Sequence, residues 1–337
     1  MSDRHDHHDQ LLTRVDERWR TQFGEGCRAM AWSPRGRLFV IGADGRSLVD
    51  LPGQVTAPMA PDPIAAAWLG ERRVAVVDAV AGAVFSGAGN IDSRVVPGAR
   101  CVGAAGGRTV VAGADVVAVF AEPDAVAPPE MVSTPIGQSH VLAHTVGAQW
   151  VVGGTRGLAL VDAALGCVDL SIELDGVRAV AYAAGAEQLV AADLAGSLHV
   201  IDVGTPEEGI ELDGYPDPVQ HMAVTVAGDL IVAAADDELT WWRLDEHGHP
   251  GDTPARALGH DAPITAVAMS VDDLVVSGDA EGMVRFWSAQ MPDYPVTSLS
   301  FGAEIVDAQW APDGRQLAVA AMNGEVGVFG VTPGALA

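Results

Sequence analysis

Short apolar strands separated by polar turns recur eight times along this chain, at a spacing of about 36 to 44 residues. Each unit runs from a strand of small apolar residues through a polar turn to a Val/Ala-rich strand, and then through an Asp/Gly turn to a third apolar strand. The first strands read RAMAWS from Arg28, IAAAWL from Ile64, RCVGAA from Arg100, HVLAHT from His140, RAVAYA from Arg178, QHMAVT from Gln220, TAVAMS from Thr265 and VDAQWA from Val306. No helical periodicity separates them, so the pattern predicts an all-β repeat array.

Strict alternation of apolar and polar residues is weak within these strands. Alanine, glycine and valine occupy both the odd and the even positions of the first two strands in each unit, which predicts sheets buried on both faces. Stacked blades of a β-propeller have this property, whereas each sheet of a sandwich leaves one face in water. We therefore predict a single closed β-propeller of eight four-stranded blades, with seven blades as the alternative.

The two ends of the repeat array complement each other. The last unit ends after Phe329 with three strands, whereas residues 15–23 (VDERWRTQF) precede the first unit without a first strand of their own. This segment would supply the outer strand of the last blade, close the ring and cover an exposed sheet edge. The predicted organisation is a disordered His/Asp-rich tail over residues 1–14, a propeller over 15–331 and a C-terminal tail over 332–337.

Three motifs carry a family resemblance. Two turns read WSPRGR from Trp32 and WAPDGR from Trp310, and one unit reads GHDAPITAVAMS followed by VVSGDAEGMVRFWS. These motifs resemble the WD-repeat family, and the resemblance covers residues 27–331, although most other units lack the Gly-His pair and the terminal tryptophan. It implies a structural hydrogen-bond network of His260, Ser277, Glu281 and Trp287, with Glu281 where the family usually carries Asp. It implies a scaffold fold and no substrate.

Composition narrows the range of partners. The formal net charge of −26 and the pI of about 4.4 argue against nucleic-acid or anionic-membrane binding, because both require concentrated positive charge. No apolar stretch is long enough to span a bilayer, and the N-terminus MSDRHDHHDQ lacks the apolar core of a signal peptide. We expect a cytoplasmic protein. All 19 basic residues are arginine, which suggests a high-GC bacterial source and removes lysine-based catalysis.

One group of arginines suggests a docking surface. The turns after the first strands of the eighth, first, second and third units would share one rim, which we call the Arg-bearing rim; its arginines are Arg35, Arg37, Arg72, Arg73, Arg108 and Arg315. Guanidinium groups pair bidentately with carboxylates, so this rim would bind an acidic surface of a protein partner. The alternative is ordinary solvated turn charge, offset by Glu71 and Asp313.

The opposite rim combines acidic turns with a few cations. Its many aspartates are residues that favour turns because they hydrogen-bond the local backbone. Inside that rim, Arg28, Arg100, His140 and Arg178 share the first position of their first strands and would converge at the mouth of the central channel. They would either pair with neighbouring carboxylates or hold an anion.

Metal and catalytic chemistry have few candidates. The N-terminal His5, His7 and His8 alternate with aspartates and could capture a transition metal, and no other cofactor is expected. Nucleophile-elbow, P-loop and zinc-protease motifs are absent.

We therefore predict a non-catalytic interaction scaffold or a subunit of a larger complex. A subordinate version is an accessory in metal-centre assembly. The alternative is a metal-dependent hydrolase at the channel mouth, with His140, His221, Asp217 and Asp307 as ligand candidates.

Overall fold

The chain is built from β-strands, as predicted. A computed structural model of the protein describes residues 14–24, 26–49, 54–55, 58–80, 82–87, 90–121, 128–145, 147–215, 217–245, 249–251, 253–257, 259–289 and 292–332. Within these ranges the chain has one short 3-10 helix, Pro206–Glu208, and no α-helix. The prediction of an all-β chain is confirmed. None of the described segments is a helix with the length and hydropathy needed to cross a membrane.

The strands of the described segments follow one another in a regular order. In chain order they are β1 (Arg14–Gln22), β2 (Cys27–Trp32), β3 (Leu38–Gly42), β4 (Ser47–Val49), β5 (Gln54–Val55), β6 (Pro63–Leu69), β7 (Arg73–Asp78), β8 (Gly82–Gly87), β9 (Asn90–Arg94), β10 (Cys101–Ala105), β11 (Arg108–Ala112), β12 (Ala114–Ala121), β13 (Glu130–His144), β14 (Gln149–Gly154), β15 (Gly157–Asp162), β16 (Cys167–Glu173), β17 (Val177–Ala183), β18 (Gln188–Asp193), β19 (Leu198–Asp202), β20 (Ile210–Leu212), β21 (His221–Val224), β22 (Leu230–Ala235), β23 (Glu238–Arg243), β24 (Ala255–Ala257), β25 (Ile264–Met269), β26 (Leu274–Asp279), β27 (Met283–Ser288), β28 (Thr297–Ser300), β29 (Ile305–Trp310), β30 (Gln316–Ala321) and β31 (Glu325–Thr332).

Within each sheet, strands that follow one another in sequence pair antiparallel, and β1 joins the last sheet by pairing antiparallel with β31. In the described segments, six sheets have four strands: β2 to β5, β6 to β9, β17 to β20, β21 to β24, β25 to β28, and β1 with β29 to β31. One sheet has seven strands, β10 to β16, because β13 pairs with β12 along its first part and with β14 along its last part. The sequence pattern begins a strand at His140, whereas β13 begins at Glu130 and runs from one unit into the next.

A corner in β13 makes this continuity feasible. Gly137 has φ of +74°, and an added Cβ would lie 2.2 Å from Thr155 Oγ1. Its N–H donates to Asp115 Oδ1 at 2.8 Å, and Arg156 pairs with the same carboxylate. The chain turns at this glycine without leaving the sheet, because the lack of a side chain permits the left-handed backbone.

The N-terminal segment completes the last sheet. β1 pairs with β31, with Arg14 opposite Thr332, and gives the order β1-β31-β30-β29. Arg20 Nη1 donates to Glu325 Oε1 at 2.7 Å and to the Ser300 carbonyl at 3.0 Å. The Arg20 guanidinium also lies 4.4 Å from the Phe301 ring centroid. The Arg20 side chain therefore links β1 both to β31 of its own sheet and to the end of β28 in the preceding sheet.

The sheets pack face to face around a common centre. The first strands of the eight repeat units contact one another in the cyclic order β2, β6, β10, β13, β17, β21, β25, β29 and back to β2, where β13 includes the strand that the sequence pattern begins at His140. The hydrophobic core is a series of layers between neighbouring sheets; in one layer Phe39 of β3 packs with Trp68 of β6. Val40 and Ile41 are adjacent in β3 and both are inaccessible to solvent. Both faces of this sheet are thus buried, as the weak alternation predicts.

Candidate functional site

A buried hydrogen-bond network ties together the unit that contains β25 to β27. His260 Nδ1 donates to Asp279 Oδ2 at 2.7 Å, and the Ser277 hydroxyl donates to His260 Nε2 at 2.6 Å. Trp287 Nε1 donates to Ser277 Oγ at 2.8 Å. A carboxylate only accepts, so its contact assigns the proton of the imidazole to Nδ1. The network joins the loop before β25 to β26 and β27.

The acidic member of this network is Asp279, which corrects the assignment to Glu281. Asp279 ends β26 beside His260, and its Oδ1 accepts the backbone N–H groups of Glu281 at 3.0 Å and Met283 at 2.9 Å. Glu281 lies two residues further along, in the turn, where it is exposed. The difference has a positional cause. Asp279 is the last residue of β26 and is buried, whereas Glu281 lies in the turn after the strand and faces solvent.

The Arg-bearing rim contains one arginine with a structural role. Arg37 Nη1 donates to the Glu71 carbonyl at 2.7 Å, and its guanidinium lies 5.1 Å from the centroid of the Trp68 ring. Ser33 Oγ donates to Glu71 Oε2 at 3.0 Å. These contacts join the β2–β3 turn to the β6–β7 turn. Arg37 therefore stabilises the junction of two sheets.

Other arginines of this rim are available to solvent. All six predicted residues lie in, or at the end of, the turns between first and second strands of four neighbouring sheets. Arg35, Arg72 and Arg315 are exposed, and none of these three forms an ion pair with another described residue. Arg73 and Arg108 are half-buried. The structure thus brings three exposed guanidiniums to one rim, and their binding role stays a prediction.

Aspartates of the opposite rim mostly serve the backbone. Asp78 accepts the N–H groups of Asp62 at 2.6 Å and Val80 at 2.8 Å. Asp193 accepts the N–H of Ser197 at 2.9 Å and contacts His199 Nε2 at 2.8 Å. These contacts support the interpretation that local hydrogen bonding selects aspartate in these turns.

A cavity of about 510 Å³ lies where the first strands meet. Arg100, His140 and Arg178 line it, and His221 and Asp307 line it from later strands. Arg28 is exposed and lies outside this lining. The structure therefore brings together three of the four predicted mouth residues.

Burial changes the protonation of the titratable groups in this cavity. It lowers the pKa of His140, and the positive charges of Arg178 and Arg100 lower that pKa further. Burial also lowers the pKa of His221. It raises the pKa of Asp307 to about 6, although the amide of Gln309 donates to this carboxylate at 2.8 Å. Both imidazoles are thus biased toward the neutral form.

Metal-ligand candidates do not converge in the described part of the chain. No group of three or more His, Cys, Asp or Glu side chains there could hold a metal ion. The hydrolase alternative, with His140, His221, Asp217 and Asp307 as ligands, is therefore not supported. His5, His7 and His8 lie outside the described residues, and metal binding by this tract stays a prediction.

Comparison with known proteins identifies the repeat. The family model "WD domain, G-beta repeat" matches residues 252–288, the unit that contains the His260 network. The SIR4-interacting protein SIF2 of Saccharomyces cerevisiae is 28% identical over 135 residues, which are 40% of this chain and 24% of that protein. A periodic tryptophan protein 2 homolog of Neurospora crassa is 25% identical over 114 residues, 33% of this chain and 12% of that protein. The chain thus matches a quarter or less of the length of these relatives.

Solved structures match nearly the whole chain. The Dos1 propeller superposes with a TM-score of 0.78 at 12% identity, covering 94% of this chain and 95% of that one. The computationally designed Ika8 protein superposes with a TM-score of 0.74 at 18% identity, covering 95% and 99%. At these identities the likeness concerns the fold alone, and that fold is a β-propeller.

Fold and repeat define the class of protein. The chain has a β-propeller fold, and residues 252–288 are similar to the WD repeat, as the resemblance of that unit predicts. The relatives named above are fungal, so they lend no support to the bacterial source that the arginine composition suggests.

Proposed function

We propose that this protein is a non-catalytic, cytoplasmic interaction scaffold built as a closed propeller of eight blades. The cyclic contacts among eight first strands support the blade number, with β13 counted as the last strand of one blade and the first strand of the next. The β1–β31 ladder supports closure of the ring by the N-terminal segment. The name of one relative, SIR4-interacting protein, describes that protein as binding another protein.

The Arg-bearing rim is the proposed docking surface, and the observation that carries it is the exposure of Arg35, Arg72 and Arg315 without ion-pair partners among the described residues. In a chain with 45 acidic and 19 basic residues, unpaired guanidiniums on neighbouring turns create a local positive field. Such a field attracts an acidic protein surface and repels a basic one. Because exposed charges are screened by salt, docking on this rim should weaken as ionic strength rises.

A charge-reversal comparison tests this proposal. The triple variant R35E/R72E/R315E and the control R28E/R46E/R256E change the net charge equally, and the control residues are exposed and lie away from this rim. Affinity capture from a lysate of the native source, read by quantitative mass spectrometry, should give a stoichiometric protein partner with wild type and with the control variant. The rim variant should lose that partner. Retention by the rim variant, or equal loss in both variants, would contradict the proposed surface.

The His/Asp tract is proposed as a separate transition-metal site. Deletion of residues 1–10 removes His5, His7 and His8 and should abolish binding of nickel, zinc or copper in equilibrium dialysis followed by elemental analysis. Unchanged metal content after the deletion would refute this assignment, and the scaffold proposal does not depend on it.

A further inference from the structure

Two arginines and a histidine occupy equivalent places in three consecutive units. Arg100 precedes β10, His140 lies within β13 and Arg178 lies within β17, each where the first strand of its unit begins. All three line the cavity of about 510 Å³ at the channel mouth. The repeat positions therefore place Arg100, His140 and Arg178 on one side of the channel.

Local backbone geometry contributes to this arrangement. The ladder between β13 and β14 shifts register between Ser139 and Val141, and the ladder between β17 and β18 shifts between Val177 and Ala179. His140 and Arg178 are the extra residues of these β-bulges. A bulge leaves one residue outside the ladder and redirects its side chain. The same shift occurs at the equivalent position of four other sheets, so it is a feature of the repeat that gives His140 and Arg178 equivalent backbone positions at the channel mouth.

The two arginines have no acidic partner. Within the described part of the chain, neither Arg100 nor Arg178 forms an ion pair or a side-chain hydrogen bond. Other arginines do pair, as Arg20 does with Glu325 and Arg156 with Asp115. The structure therefore does not support the alternative in which Arg100 and Arg178 pair with neighbouring carboxylates. Their ten donor N–H groups are available to a ligand.

Other cavity walls set the character of that ligand. Two residues after each of Arg100, His140 and Arg178, an apolar side chain lines the same cavity. These apolar residues are Val102, Leu142 and Val180. One of the described lining residues, Asp307, carries a carboxylate. It lies on β29, on the far side of the cavity from His140, and accepts a hydrogen bond from Gln309. A ligand with an anionic end and an apolar body matches these walls.

We propose that the channel mouth binds a small phosphate monoester through Arg100, His140 and Arg178. Two guanidiniums and an imidazole provide donors for the three non-bridging oxygens of a phosphate, and Arg forks recognise phosphate bidentately. A carboxylate offers two oxygens and a single charge. The acidic turns around the mouth repel extended polyanions such as nucleic acids, which favours a small molecule. The organic group of the ester contacts Val102, Leu142 and Val180.

Binding is tested with phenyl phosphate as the probe and benzoate as the carboxylate control. Calorimetry on the full chain should give saturable binding of phenyl phosphate that exceeds that of inorganic phosphate, because the phenyl group gains apolar contacts. Loss of two charged hydrogen-bond donors in R100Q/R178Q should weaken binding at least about tenfold. The matched variant R14Q/R256Q changes two exposed arginines outside the cavity lining and should bind like wild type.

Several outcomes would overturn the site. These are absence of saturable binding to wild type, equal affinity in R100Q/R178Q, an equal loss in R14Q/R256Q, or benzoate binding as tightly as phenyl phosphate. Circular dichroism and thermal unfolding verify that the variants are folded, and the single variants R100Q and R178Q replace the double variant if it is not. As a second readout, the imidazole NMR resonances of His140 should show a higher pKa with phenyl phosphate bound, because a dianion favours the protonated ring.

Discussion

At the scale of single residues, the buried polar groups of the blade with β25 to β27 satisfy one another. Ser277 is inaccessible to solvent, yet its hydroxyl accepts from Trp287 and donates to His260. A buried polar group without a partner costs on the order of 1–3 kcal/mol. Removing one side chain of this hydrogen-bond network therefore destabilises the protein by leaving another without its partner. The network therefore acts in stability and not in binding.

Replacement of Asp279 by alanine should destabilise the protein by about 2–4 kcal/mol, since it removes the acceptor for His260 and for two backbone N–H groups. Replacement of the exposed Glu281 by alanine should change the free energy of unfolding by less than about 0.5 kcal/mol. Urea denaturation of both variants measures the difference. Similar losses in the two variants would argue that Glu281 also belongs to the network.

The carboxyl group of Asp307 predicts a pH dependence. Burial raises its folded-state pKa to about 6 from the ordinary 3.8, so the folded state holds this proton more tightly than the unfolded chain. Stability contributed by the protonated group is complete below pH 3.8 and is lost as pH rises through about 6.

An Asp307→Asn variant keeps a neutral side chain at all pH values. It should be more stable than wild type by about 1–3 kcal/mol at pH 8 and should approach wild type near pH 4.5. Unfolding free energies measured across this range give the difference curve. A difference that does not vary with pH would show that the carboxylate is not penalised by burial.

At the scale of elements, β1 is held by a side chain as well as by its ladder. Arg20 contacts Glu325, the Ser300 carbonyl and the Phe301 ring. Arg20→Ala should lower the free energy of unfolding by about 1–3 kcal/mol through loss of a partly buried ion pair and a cation–π contact. Arg14→Ala, in the same strand, removes an exposed pair with Asp16 and should cost well under 1 kcal/mol.

Thermal unfolding of the two β1 variants, each compared with wild type, measures this contrast. If Arg14→Ala costs as much as Arg20→Ala, the ladder and not the Arg20 contacts fastens the strand.

Much of the element order follows from the sequence. The starts at Arg28, Ile64 and Thr265 lie within β2, β6 and β25, because short apolar runs between turn residues are a local property. The continuity of β13 does not follow, since Pro135 and Gly137 are residues that normally end a strand. Partners distant in sequence, among them Asp115 and Thr155, hold that corner in register.

Site residues divide in the same way. The convergence of Arg100, His140 and Arg178 follows from their equivalent repeat positions. The role of Arg37 does not, because its contact with Glu71 joins turns 34 residues apart. The identity of the acidic member does not follow either, because Asp279 and Glu281 are two residues apart in sequence and the contact of Asp279 with His260 is a tertiary one.

At the scale of the whole molecule, charge dominates. A formal net charge of −26 makes the compact state repel itself, and salt screens this repulsion. The Debye length falls from about 30 Å at 0.01 M to about 8 Å at 0.15 M salt.

The melting temperature at pH 7 should therefore rise as sodium chloride increases over that range. Calorimetric scans with sodium chloride and with potassium chloride should agree if the effect is screening. A melting temperature that falls with either salt would mean that attractive surface pairs outweigh the net repulsion.

The strand shared by two blades has a mechanical consequence. β13 pairs with β12 along its first part and with β14 along its last part. Strands β10 to β12 therefore cannot separate from β14 to β16 without breaking one of these ladders. In native-state hydrogen exchange the amides of β10 to β16 should be released by a common opening, as a single cooperative foldon. The other sheets share no strand with a neighbouring sheet, so their amides should be released by openings separate from that of β10 to β16.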